Sequence, residues 1–174
     1  MLSQLLLILA LAAPAAAPAP AQAQATGWRL TPDGYGPVRI GMTRAQVSSA
    51  LATRLEGDAI EDEEACVEMA AAQGYRGFYF MFEHGRLSRI SATEPSQATT
   101  PLGVGIGAAA ARVRRAYGPA MRAETHEYLG RPAEYLTLWT RGSARGIRFE
   151  TDSDRRVTAI HVGGASIRYV EGCA

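Results

Sequence analysis

Three histidines, two cysteines and a matched pair of glutamates are the residues of this chain whose types and spacing could carry chemistry. His84, His126 and His161 lie far apart, and none forms the H-x-x-x-H spacing that places two imidazoles on one metal ion. A catalytic or metal role for them requires convergence in space. Glu83 and Glu150 each close an apolar run, and a carboxylate pair is what acid–base hydrolysis uses. Both have arginine nearby, so salt bridging is the plainer expectation. Serine is plentiful, yet no G-x-S-x-G elbow presents one as a nucleophile. Asp58, Glu61, Asp62, Glu63 and Glu64 supply hard oxygen ligands of the kind Ca²⁺ takes, but not in the alternating pattern of a calcium loop. A solvated loop is expected there. Asp152-Ser153-Asp154 reads as turn chemistry. Gly103-Val104-Gly105-Ile106-Gly107 lacks the spacing of a phosphate-binding loop. Arg112, Arg114, Arg115 and Arg122 could meet anionic lipid or phosphate, or could form the wet face of a helix. None of these patterns calls for a cofactor or a metal.

The formal net charge is +1, which predicts neither nucleic acid nor an anionic membrane as partner. All basic side chains other than histidine are arginine; the chain has no lysine and no asparagine. Leu5 to Ala17 is apolar, is broken by Pro14 and is followed by Pro18 and Pro20. Small-x-small sites follow at Ala21-Gln22-Ala23 and Ala23-Gln24-Ala25. This predicts a signal peptide over residues 1–25, cleaved near Ala23 or Ala25, and a periplasmic or secreted protein. The run is shorter than the roughly 20 apolar residues that span a bilayer, so no transmembrane span is expected. In an exported protein, Cys66 and Cys173 are expected to form a disulfide. Closing so long a loop stabilises by up to about 4.7 kcal/mol in a chain-entropy model.

The elements that would position these residues are read from an internal repeat. Ile40-Gly41-Met42-Thr43-Arg44-Ala45-Gln46-Val47 returns, eroded, as Ile106-Gly107-Ala108-Ala109-Ala110-Ala111-Arg112-Val113. In the first copy Thr43 and Gln46 form a capping box, with Met42 and Val47 placed as a hydrophobic staple. Val47, Ala50, Leu51 and Leu55 then fall on one helical face, and Gly57 is placed to stop the helix. In the second, Val113, Ala116 and Tyr117 keep the apolar stripe and Gly118-Pro119 ends it, while Ala109 cannot cap. Strand–turn–strand units follow each helix: Phe78–Phe82 with Leu87–Ile90, and Ile147–Glu150 with Val157–Ile160. Further strands are expected at Arg122–Tyr128, Glu134–Thr140 and Ser166–Val170, and Cys66–Ala71 is ambiguous between helix and strand. The expected fold is α+β: two tandem helix-plus-antiparallel-sheet repeats, with the helices packed on one face of the sheet. The expected boundaries are 26–95 for the first repeat, 96–101 for a linker and 102–174 for the second.

The Ile40-Gly41-Met42-Thr43-x-x-x-Val47 motif, met twice and each time followed by antiparallel strands, resembles the β-lactamase-inhibitor-protein-like fold. The single unit also resembles the small outer-membrane assembly lipoproteins of the SmpA/OmlA type. The resemblance implies protein–protein binding through an open sheet face and no catalysis. Two cysteines are too few for the disulfides of the β-lactamase inhibitor, and no lipidated cysteine follows the apolar run. No functional residue of either family maps onto this chain.

Strand alternation gives the expected surface. If Phe78, Phe80 and Phe82 face the helices, Tyr79 and Met81 face the other way, as do Tyr135, Thr137 and Trp139. Tyr79, Met81, Tyr135 and Trp139, flanked by Arg89, Arg148 and His161, would then form a partner-binding face of the residue types enriched in interface cores. Alternatively, a loop or the C-terminal segment covers this face and makes a second minicore. Three functions are carried forward. The first is an exported, non-enzymatic module that binds a protein partner. The second is a small exported hydrolase or metal-dependent enzyme using histidine and turn carboxylates. The third is a structural protein of the cell envelope.

Overall fold

The computed structural model describes residues 27–57 and 66–173. The expected signal peptide and the acidic run lie outside these residues. A small antiparallel sheet opens the described chain: β1 (Leu30–Thr31), β2 (Gly34–Tyr35) and β3 (Val38–Arg39). Helix α1 (Arg44–Leu51) and the short β4 (Leu55–Glu56) follow, then β5 (Val67–Ala71), β6 (Phe78–Glu83) and β7 (Arg86–Thr93). Helix α2 (Ala110–Tyr117) leads to β8 (Arg122–Thr125), β9 (Glu134–Trp139), β10 (Gly146–Thr151) and β11 (Val157–Gly163). A 3₁₀ turn, Ala165–Arg168, precedes the C-terminal residues.

The expected fold class is corrected by the sheet. Strands β4 to β11 form one antiparallel sheet in the order β4-β5-β6-β7-β11-β10-β9-β8. The molecule is mostly β, not two helix-plus-sheet repeats. The physical reason is the pairing of β7 with β11, from Ala159 opposite Thr93 to Gly163 opposite Arg89. That ladder satisfies the inner edges of both groups of strands, which would otherwise present unpaired backbone. The helices are eight residues each. Val47 and Leu51 are the buried residues of α1, and Ala110 and Val113 those of α2. Most of the core comes from one sheet face: Phe78, Phe80, Phe82, Leu87, Ile90, Leu136, Ile147, Phe149, Ile160 and Val162. An aromatic cluster of Trp28, Tyr35 and Tyr75 joins the small sheet to Phe78.

Local chemistry explains how each helix begins. Thr43 Oγ1 accepts from Gln46 N at 3.3 Å, and Gln46 Oε1 accepts from Thr43 N at 2.9 Å, so the capping box is formed. The turn before α1 is pinned to β7 by Gly41 N to Leu87 O (2.7 Å) and Leu87 N to Met42 O (2.8 Å). The turn before α2 is pinned to β11 in the same way through Gly107 N, Ala108 O and Val157. Helix α1 ends earlier than expected. Ala52 takes the left-handed conformation, Ser48 Oγ donates to Thr53 O, and Leu55 leaves the helical face to pair with Ala71. Residues 96–101, expected as a linker, are woven into the fold: Leu30 N donates to Thr99 O, and Ser96 and Thr100 are buried. Cys66–Ala71 resolves as strand from Val67 onward.

Helix α2 has no side chain capping its start; Ala109 occupies the cap position with extended backbone. Thr43→Ala is expected to cost about 1 kcal/mol, and Ala109→Asp to add about 0.5–1 kcal/mol, in urea unfolding. A neutral or destabilising Ala109→Asp would show that backbone pinning already satisfies the free N–H groups.

Candidate functional site

The sheet face opposite the core carries the seven residues expected to bind a partner. Register sets them in rows. Arg122, Thr137, Arg148, His161, Ser91 and Tyr79 lie directly opposite one another across six strands. A neighbouring row runs Trp139, Gly146, Gly163, Arg89 and Met81. A third holds Tyr135 and Glu150. The face is not open. The 3₁₀ turn and the residues after it form a strap across it, and the segment expected as a strand, Ser166–Val170, is this strap. Met81 is wholly buried, and Tyr135, Arg89, Arg148 and His161 are buried. Trp139 is half-buried, and Tyr79 alone of the seven is well exposed, at 42%.

Two glycines and one arginine seat the strap. A Cβ at Gly146 would stand 3.0 Å from Ile167 Cδ1 and closer still to the Trp139 ring, so only glycine lets Ile167 sink onto the sheet. Gly164 N donates to Ser88 O at 2.9 Å where the strap leaves β11. The Arg89 guanidinium donates to Ser166 O and Tyr169 O at 3.0 Å each, and forms an ion pair with Glu68 at 3.0 Å. Tyr169 donates its hydroxyl to Glu83 at 2.9 Å. Burial pushes the Glu83 carboxyl up, but the Tyr169 hydroxyl bonded to it and the polar side chains of Ser88 and Ser166 close by outweigh it, and the group sits below its ordinary value. Cys66 and Cys173 are bonded to each other, with Cα atoms 5.3 Å apart, and tie the end of the strap to the start of β5.

Under the strap, His161 joins two groups that sequence patterns do not connect. Its Nε2 lies 3.2 Å from Glu150 Oε1, and its Nδ1 lies 2.8 Å from Ser91 Oγ. In the Nε2–H tautomer, His161 donates to Glu150 and accepts from Ser91. Burial raises the Glu150 carboxyl, and the hydrogen bond and charge of His161 more than reverse this, holding it below 4.5. Serine, histidine and glutamate in line can relay a proton. Here, however, Ser91 is only 3% exposed. The arrangement satisfies buried polar groups. Ser91 and Glu150 became legible only through register, since Ser91 faces His161 across β7 and β11.

Beside this line, the Arg148 guanidinium lies 3.8 Å from the centroid of the Tyr135 ring. Tyr135 also stacks on His126, with centroids 4.6 Å apart. Burial lowers the Arg148 pKa, against the opposing influence of Glu150 and Glu124.

The other expected chemistry disperses. His84 sits in the β6–β7 turn with positive φ, and His126 follows β8 just past the strand's end. Glu83 and Glu150 take Tyr169 and His161 as partners, not arginine. Asp152 Oδ1 accepts from the backbone of Asp154 and Arg156 and shapes a turn. Among the described residues, no group of three His, Cys, Asp or Glu side chains could hold a metal ion. No protein-family model, curated protein or solved structure matches this chain.

The Glu150–His161 contact has a pH signature. Because the folded carboxyl titrates below its unfolded value, its contribution is complete above about pH 4.5 and fades as pH falls through the folded value. Glu150→Gln is expected to lose about 1 kcal/mol at pH 7, the contact being partly exposed, and to lose less than that at about pH 3. Denaturant unfolding at both values checks this; equal loss at both would assign the effect to packing.

Proposed function

We propose that this protein is an exported, non-enzymatic module that binds a protein partner through the aromatic rim of the strap. One observation carries the reading. Of the six exposed large apolar side chains among the described residues, Tyr79, Tyr128, Leu129, Tyr169 and Val170 lie on the strap side of the sheet or on the β8–β9 turn that meets it. Tyr128 donates its hydroxyl to Glu171 across that meeting. Between turn and strap runs a shallow groove of about 510 Å³ whose floor includes Cys66 and Cys173. Exposed apolar patches rimmed by polar groups are the usual form of interaction sites, and tyrosine is enriched among residues that dominate binding energy.

The contact surface therefore shifts from the sheet face to the strap that covers it, with Tyr79 kept. The groove also sets the partner's chemistry. Glu127 and Glu171 flank it, and Glu171 pushes the Tyr128 hydroxyl up to about 12, so the ring keeps its proton. Carboxylates beside tyrosine faces suit an arginine or lysine side chain in an apolar segment. A cysteine pair at disulfide distance, with no described helix long and apolar enough to cross a membrane, supports a periplasmic or secreted location.

A second reading takes the Ser91–His161–Glu150 line, buried as it is, for catalytic: a small hydrolase with Ser91 as nucleophile. A fluorophosphonate should then label Ser91 in the intact protein and fail to label His161→Gln. Absence of labelling in the intact protein rejects it.

For the binding reading, a photo-crosslinker placed at Tyr128 is expected to capture one defined periplasmic protein. Tyr128→Ser with Tyr169→Ser should weaken the Kd for that purified protein about thirtyfold or more. Crosslinks no more selective than those from Leu102, the exposed apolar residue outside the rim, would reject the surface.

A further inference from the structure

We propose that Arg148 and Thr137, at the foot of the strap, form a binding site for a small oxyanion. The inference is independent of the docking rim. It begins from two buried polar side chains that face each other on adjacent strands. Arg148 lies directly opposite Thr137 in the β9–β10 ladder, and each is 4% exposed. Directly opposed side chains stand about 5 Å apart at Cβ. Arg148 Nε and Thr137 Oγ1 are both buried without a hydrogen-bond partner. A buried polar group left unpaired costs roughly 1–3 kcal/mol, and more when charged. Arg89 Nε and Ser166 Oγ are also unpartnered, but Arg89 is already bonded to Glu68 and to the strap carbonyls, whereas Arg148 has no ion pair among the described residues.

The surroundings say what would satisfy them. The guanidinium lies over the Tyr135 ring, which covers one planar face, while Nε on its N–H edge has no partner. That edge is the part that forks onto two oxygens of a carboxylate or phosphate. Thr137 supplies a hydroxyl that can donate to the same group. Arg122 extends the row on β8, opposite Thr137, and Arg168 comes from the strap near enough to repel Arg148. The nearby carboxylates are committed: Glu150 to His161 at 3.2 Å, and Glu124 to Arg168 at 3.4 Å. Their charge offsets part of the cost of burying Arg148 without bonding to it. Positive charge from β8, β10 and the strap thus surrounds two unpartnered donors on β9 and β10, and the ligand class whose chemistry matches is a small oxyanion.

The test is titration of the purified full chain with sodium phosphate and, separately, sodium acetate, against sodium chloride at matched ionic strength. Thermal unfolding and tryptophan fluorescence are read together, since Trp139 lies two residues from Thr137 on the same strand. A saturable rise in the unfolding midpoint with either oxyanion, absent with chloride, is the expected result; phosphate alone would mark a tetrahedral ligand and acetate a planar one. Arg148→Met should weaken binding about tenfold or more, and the near-isosteric Thr137→Val by a smaller factor. Arg148→Met should also be no less stable than the parent in chloride, because it removes a buried unpaired charge. A purely structural role for Arg148 predicts the reverse. The proposal is overturned if phosphate and acetate up to about 50 mM, well beyond a millimolar Kd, act no differently from chloride. It is equally overturned if both variants keep the parent's affinity.

Discussion

The bonds made by Arg89 hold the non-core side of this molecule together. One buried guanidinium on β7 reaches two carbonyls of the strap and the carboxylate of Glu68 on β5. Charge-assisted hydrogen bonds of this kind are roughly twice as strong as neutral ones. Without the two guanidinium bonds to it, the strap would be held by the disulfide, by Ile167 and by contacts at its edges such as Gly164 N to Ser88 O and Tyr169 to Glu83, while the buried cation kept Glu68 as its ion-pair partner. Removing one partner from such a cluster is far more costly than never having built it. The strap in turn decides which side chains meet solvent, so the surface chemistry of the protein follows from this one residue.

The two faces of the sheet solve the same problem by different means. The core face is continuous Phe, Leu, Ile and Val, and needs only shape to pack. The strap face is a mixed layer in which Arg, His, Glu, Ser and Thr must each find a partner. Most do. His161 joins Ser91 to Glu150, and Arg89 joins three elements. Four atoms among the described residues do not: Arg89 Nε and Ser166 Oγ, on groups otherwise bonded to each other through Ser166 O, and Arg148 Nε and Thr137 Oγ1, on residues that face each other on adjacent strands. A protein that needed only a lid for its sheet could have used apolar residues here, as the other face does.

What the sequence makes legible is local. The Thr43–Gln46 cap is a four-residue pattern and forms as read. The Phe78–Phe82 alternation places Phe80 in the core and Met81 on the opposite side, and Glu83-His84-Gly85-Arg86 turns β6 into β7. What it conceals is long-range. No periodicity announces that β7 will pair with β11 and merge the strands into one sheet. Nothing in Ser166–Val170 distinguishes a strand from a strap, because the choice is made by Gly146, far away, leaving room for Ile167. The two cysteines are visible as a pair, but their work, anchoring the strap over a sheet face that could equally have been open or covered, depends on where β5 lies. Ser91 and Glu150 become partners of His161 only through register, a property of strands that the chain does not spell out.

The cysteine bond also changes how the molecule would respond to a pull. Residues 66 and 173 are 107 positions apart in sequence, and seven of the eight strands of the large sheet lie between them. Tension applied at the two chain ends passes across the sulfur link and bypasses that covalent ring. Roughly 370 Å of contour length, at about 3.5 Å per residue, is withheld from extension. Among the described elements, the small N-terminal sheet, α1 and β4 lie in the path of the force. The mechanical load-bearing part of this protein is thus its smallest part, and the great sheet is sheltered behind a single crosslink.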